Sequence, residues 1–184
     1  MLPVLEAARQ MQLSAHAQHQ LDAAMAPRAA VQTLLDAGLA ADALSLLARL
    51  LPRRYAVAWV CQCARREALD EHDVAGLALA QAWVREPSER NRADAAAFAK
   101  THRYKTIGAW SAAAAGWTGG NLNPQHEQPT PAPEHLTALA AMAAVTYMAA
   151  RVADQFAARR AGFVRDALGL LDTPTVSTEK RNEQ

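Results

Sequence analysis

The chain has 184 residues, of which 51% are hydrophobic and only 5% aromatic, and its 19 basic and 18 acidic residues leave a net charge of +1. That length suits one domain with a hydrophobic core of its own. The near balance of charge argues against a chain that grips nucleic acid by neutralising phosphates, and against a polybasic membrane anchor. Ala dominates the apolar residues and Leu follows, while β-branched residues are thin. Ala and Leu lose little side-chain entropy in a helix, and a β-rich fold needs more Val, Ile, Thr and Tyr than this. The composition predicts an all-α fold.

The first 26 residues are weakly patterned, with room for a short helix ending near Met25. From Pro27 the helical domain begins and extends to residue 172. Pro27 suits a helix first turn, Val31, Leu34 and Leu35 make one apolar face, and Gly38 is a C-terminal stop. The second helix is predicted from Ala41 to Leu51, with a wide Leu stripe that marks it as central. Pro52 ends it and opens the next, Arg53 to Glu67. Asp70 can cap a helix from Glu71 to Arg85 that buries Val74, Leu77, Ala78 and Trp83. Ser88 can cap another from Glu89 to Lys100, with Ala93, Ala96 and Ala97 at helical spacing, and a polar joint leads to a helix from Thr106 to Trp117. Residues 118–133, with two glycines and four prolines, form a loop long enough to be either functional or a connector. Glu134 to Leu171 is helical in pattern, as one helix or as two joined near Ala161-Gly162. Within it, Ala140, Ala143 and Tyr147 share a face. The polar stretch 173–184 is expected to be a disordered tail. No fixed repeat returns in register, so the expectation is a single non-repeating helical bundle or short α-solenoid of about seven helices.

No stretch of eighteen apolar residues exists, and Leu136 to Ala150 reads as a buried core helix. The N-terminus lacks the pattern of a signal peptide, so the protein is expected to stay in the cytoplasm. Cys61 and Cys63, two apart on a helix, point about 200° away from each other and read as small buried hydrophobes. His16 and His19 share a helix face but lack further ligands nearby. Nucleophile elbows, phosphate-cradling glycine loops and zinc-binding frames are absent. No catalytic residue, metal or cofactor is assigned. Trp59, Trp83, Trp110 and Trp117 carry most of the aromatic surface, and most of them are expected to fill space between Ala-rich helices. Trp beside Arg is also the composition of protein-binding hot spots. The candidate protein-binding residues are therefore Arg53, Arg54, Arg85, Trp110, Trp117, Gly119, Gly120 and Asn121, at helix ends, on the helix before the Gly/Pro loop or in that loop.

Three ordered segments carry a family resemblance: PRRYAVAW (Pro52 to Trp59), WVREPSERNR (Trp83 to Arg92) and GAWSAAAAGWTGGNLNP (Gly108 to Pro124). Over roughly Pro27 to Met148 the chain resembles an uncharacterised bacterial family of small helical proteins often encoded beside type VI secretion genes. It departs from that family's pattern at Tyr55, where an acidic residue is usual, at Ala58 in place of a second Trp, and at Ala109, which separates Gly108 from Trp110. The resemblance implies a bacterial cytoplasmic accessory protein and supplies no activity. The expectation is a non-enzymatic adaptor, chaperone or regulator whose partner is another protein, a secretion component or its effector. The alternatives are an enzyme with a non-local polar site around His102, Arg103 and Tyr104, and a structural homodimer that uses an apolar stripe around Val152, Phe156 and Phe163.

Overall fold

The computed structural model describes residues 2–121, 128 and 130–172; the expected tail at 173–184 lies outside them. Among the described residues there are helices and turns but no named strand. Residues 2–26 are part of the fold, and their helices end well short of Met25. α1 (Val4–Gln10) and α2 (Ala15–His19) are separated by Gln12, whose φ of 52° interrupts the helix. Val4, Ala7, Ala8, Met11, Leu13 and Ala17 are buried. Their spacing is helical, but with Ala at half the positions the apolar signal is faint. Ser14 caps α2 and also bonds Asp42 through both its amide and its hydroxyl.

α3 (Pro27–Asp36) has its Pro in the first turn and ends at Gly38, whose φ of +75° is open to glycine without strain. α4 (Ala40–Leu50) buries Leu44, Leu46, Leu47 and Leu50, as its wide stripe predicts. α5 (Arg53–Ala64) follows Pro52 and stops before Glu67, which turns inward to pair with Arg151 and Arg159. α6 (Glu71–Arg85), α7 (Glu89–Thr101) and α8 (Ile107–Gly116) are each capped by a side chain, from Asp70, Ser88 and Thr106 respectively. Each cap satisfies one otherwise orphaned amide of the first turn.

α8 is the axis of this half of the molecule, with α6, α7 and α9 (Leu136–Ala150) packed around it. Its sequence, IGAWSAAAAG, makes a thin helix that neighbours approach closely. A Cβ on Gly108 would lie 2.6 Å from the Asp73 Cα, and one on Gly116 would lie 2.7 Å from the Ala96 Cα. Gly76 of α6 faces Gly108 in the same contact. The buried Asp73 carboxylate accepts the amide of Gly108 at 2.6 Å, so an anion meets the positive end of α8.

This contact turns α6 away from the expected face. Val74 is 52% exposed and Ala78 is exposed, whereas Asp73, Gly76, Leu77, Ala80 and Trp83 are buried. In α7 the buried residues are Ala95 and Ala99, with Ala93 and Ala97 in solvent. In α9 the inward face is Ala140, Ala141, Ala144, Val145 and Met148; Ala143 is half-buried and Tyr147 is exposed.

The C-terminal pattern is two helices, but the joint is not at Gly162. The chain turns at Val152 and a 3-10 turn (Ala153–Gln155), and α10 (Phe156–Ala167) continues through Gly162 without interruption. The two segments Leu136–Ala150 and Ala153–Asp172 meet at 120°. Glu67 fixes the corner by pairing with Arg151 on one side of it and Arg159 on the other, and Arg151 also donates to the Ala68 carbonyl. α10 packs on α4 and α9, and the Trp59 indole donates to the Phe163 carbonyl at 3.2 Å. A final 3-10 turn (Leu168–Asp172) returns to α3, where Arg28 pairs with Asp172. Among the described residues the ten helices outnumber the seven expected because the N-terminal segment contributes two and the C-terminal pattern divides. Among the described residues, no single helix is long and apolar enough to cross a membrane.

Candidate protein-contact site

α8 is buried along almost its whole length, and the one outlet of its sequence to solvent is aromatic. Trp110, within the helix, and Trp117, at its C-cap, are seven residues apart and therefore share a face; both are half-buried. Trp59 and Trp83, by contrast, are core residues at 1% and 7% exposure. Tyr104 completes the outer cluster. Its ring centroid lies 5.5 Å from that of Trp110 and 5.3 Å from that of Trp117, and the two indoles meet edge to face at 6.0 Å. Such pairs contribute about 0.5–1.5 kcal/mol each beyond simple burial.

The backbone that presents Tyr104 is strained. Arg103 and Tyr104 both hold left-handed conformations, with φ of 53° and 55°. For residues with a Cβ this conformation costs about 1–2 kcal/mol each. The turn folds the chain back after α7, so that the Tyr104 amide bonds Ala99 while its ring lies on the tryptophans. His102 goes elsewhere: it stacks on Phe98 at 3.9 Å, and its Nδ1 is 2.9 Å from the Phe98 carbonyl oxygen. His102 and Tyr104 therefore face different neighbours, although they are two residues apart. Nor do the apolar residues of the C-terminal stripe form a free face, because Phe163 is buried and Val152 and Phe156 are half-buried.

Two of the candidate arginines, Arg53 and Arg54, are occupied within the molecule. Arg53 donates to the Thr118 carbonyl at 2.8 Å and stands 3.9 Å from Glu134, so a single side chain clasps both ends of the Gly/Pro loop. Arg54 donates to the carbonyls of Val84 and Arg85, the open end of α6. Gly119 is half-buried and Gly120 exposed, with φ of +82° at Gly120. A Cβ at Gly120 would run into the guanidinium of Arg92. Arg92 was not apparent from the sequence: it donates to the Gly116 carbonyl at 2.8 Å, and its bond to Glu89 holds that carboxyl below its ordinary range. Nothing in the local sequence marks a bond that reaches from α7 to the end of α8. Asn121 pairs with Pro131 across the loop, and its side chain accepts from the Thr130 amide at 2.8 Å. Leu122 to Glu127 and Pro129 lie outside the described residues.

Arg85 belongs to a different place. With Ala58, Cys61, Gln62, Arg65, Gln81 and Val84 it lines a shallow groove of about 350 Å³ between α5 and α6. The thiols of Cys61 and Cys63 are buried and free, and burial pushes both up to about 12. Among the described residues, no group of three or more His, Cys, Asp or Glu is placed to hold a metal ion.

Fold and surface together define a small all-α domain whose distinctive chemistry is an outward aromatic cluster beside a clasped loop. Residues 30–171 match the family of unknown function DUF6931, and the chain belongs to that family. The match extends past the three resembling segments into α10. No curated protein and no solved structure matches the chain.

Proposed function

We propose that the protein is a non-enzymatic binding module, and that the Tyr104–Trp110–Trp117 cluster is its contact surface. One observation carries this reading: two consecutive residues are held in a strained conformation so that a third ring joins two half-exposed tryptophans. Backbone strain persists where the surrounding structure imposes it, and it gathers at functional positions. Large aromatic side chains in a partly exposed cluster are the chemistry of interface hot spots. The clasped turn at Thr118 to Asn121 follows Trp117 directly and so flanks this surface.

In this reading the module works in the bacterial cytoplasm as an accessory factor of a type VI secretion apparatus. It would dock a secretion component or its effector as adaptor, chaperone or regulator. That assignment rests on the sequence resemblance alone. The test is affinity recovery of the tagged protein from lysate of its own bacterium, wild type beside a Trp110→Ala/Trp117→Ala variant whose helical circular dichroism is intact. Stoichiometric recovery of a secretion component by the wild type, lost in the variant, supports the proposal. Equal recovery by both removes the site assignment, and recovery of the bait alone removes the binding reading.

A further inference from the structure

The groove between α5 and α6 has an unbalanced charge in a chain that is otherwise nearly neutral. Two of its lining residues, Arg65 and Arg85, are cations, two are glutamines, and none is a carboxylate. α5 contains no acidic residue, and those of α6 are confined to its first turn. Most arginines of the fold are engaged: Arg28, Arg49, Arg53, Arg54, Arg66, Arg92, Arg151 and Arg159 all reach a carboxylate or a carbonyl. Arg65 and Arg85 are exposed, and among the described residues neither guanidinium has a hydrogen-bond or ion-pair partner.

The two cations stand at opposite ends of the groove. Arg54, in the first turn of α5, bonds the last carbonyls of α6, so the C-terminus of α6 and Arg85 lie beside the start of α5. Arg65 is the C-cap of α5. From Arg54, beside Arg85, to Arg65 the helix rises about 16 Å at 1.5 Å per residue. The floor between them is small and apolar, made by Ala58, the buried Cys61 and Val84, with Gln62 and Gln81 offering amide donors and acceptors.

We propose that this groove receives an acidic segment of a partner protein, with one carboxylate on Arg65 and a second on Arg85. Charge complementarity identifies the occupant, since a planar guanidinium is suited to paired hydrogen bonds with a carboxylate. An extended or polyproline-like chain advances about 3.1–3.3 Å per residue, so acidic residues five apart span the two cations. The glutamines then bond the backbone of the segment between them. The site is separate from the aromatic cluster and does not depend on it.

The test is amide chemical-shift mapping of the full chain titrated with acetyl-Glu-Ala-Ala-Ala-Ala-Glu-amide, its Gln-for-Glu counterpart, and inorganic phosphate. The expected result is saturable shifts at Ala58, Gln62, Arg65, Gln81 and Arg85 with the Glu peptide only. These should weaken about tenfold in the Arg65→Gln/Arg85→Gln variant and decline as salt is raised. Both side chains are exposed and unbonded, so an unchanged amide spectrum should show that the variant is folded. Absence of shifts, shifts centred elsewhere, equal binding of the Gln peptide, or the same shifts from phosphate alone would overturn the proposal. A Trp110→Ala/Trp117→Ala variant should bind the Glu peptide as the wild type does, which keeps this result independent of the aromatic surface.

Discussion

α4 and α8 are both buried along most of their length, yet they reach that state by opposite means. α4 projects Leu44, Leu46, Leu47 and Leu50 into its neighbours, so the helices around it are held apart by side chains. Apart from Ile107 and the outward Trp110, α8 offers only glycine, alanine and one serine, and its neighbours come to its backbone. The first arrangement stabilises through apolar area, at about 25 cal/mol per Å². The second gains close dispersion contact and lets one buried carboxylate, Asp73, reach a backbone amide of the next helix. A leucine core is therefore sensitive to lost volume, and a glycine seam to added volume.

Mutations can break that comparison directly. Leu47→Ala should lower unfolding free energy by about 2–5 kcal/mol, because the fully buried side chain leaves a cavity. Gly108→Ala should lower it by about 1–3 kcal/mol although alanine is the better helix former, because the new methyl meets the backbone of Asp73, which has no rotamer to change. Gly162→Ala is the counterpart: a Cβ there meets nothing within 4 Å, so stability should rise by about 0.5–1 kcal/mol. Urea denaturation of the three variants beside the wild type measures all of these. A neutral Gly108→Ala would mean that the seam can open without loss, and the contrast would fail.

A smaller effect sharpens the picture from the leucine side. Cys61 and Cys63 are held protonated by burial, with the ordinary thiol value of 9.0 raised to about 12. A raised pKa in the folded state contributes stability that is fully present below pH 9.0 and is lost as pH rises through about 12. At pH 8 neither thiol should react with a disulfide reagent in the native protein, and both should react once denaturant is added. Rapid labelling of native protein would show that this part of the core is open to solvent.

The fold was legible in the sequence where a local signal decided it. Asp70, Ser88 and Thr106 mark helix starts by their own side chains, and the starts of α6, α7 and α8 follow from them. Which face turns inward was not legible for α6 and α7. In an alanine-rich helix every face is weakly apolar, and the deciding residue of α6 is Gly76, which carries no hydrophobic signal and matters only because Gly108 faces it. The corner after α9 was hidden for a related reason: it is set by Glu67, distant in sequence, while the interior Gly162 is tolerated within α10. Of the candidate contact residues, Trp110 and Trp117 do come together. The arginines Arg53 and Arg54 hold carbonyls of the molecule itself. The sequence points to Tyr104 only as part of a polar enzyme site and to Arg92 for no site, because their partners are fixed only by tertiary packing.

The clasp of Arg53 on Thr118 and Glu134 has a consequence for engineering. Below it the loop is closed a second time, by the Asn121–Pro131 bridge and the bond from the Ala132 amide to the Gly120 carbonyl at 3.2 Å. The two ends of the loop thus leave the fold at a fixed neck. Doubling the length of a loop adds only about 0.6 kcal/mol of closure entropy. An epitope or fluorescent peptide inserted beyond Asn121 would leave both chain ends untouched, so the neck serves as an internal port for labelling the protein.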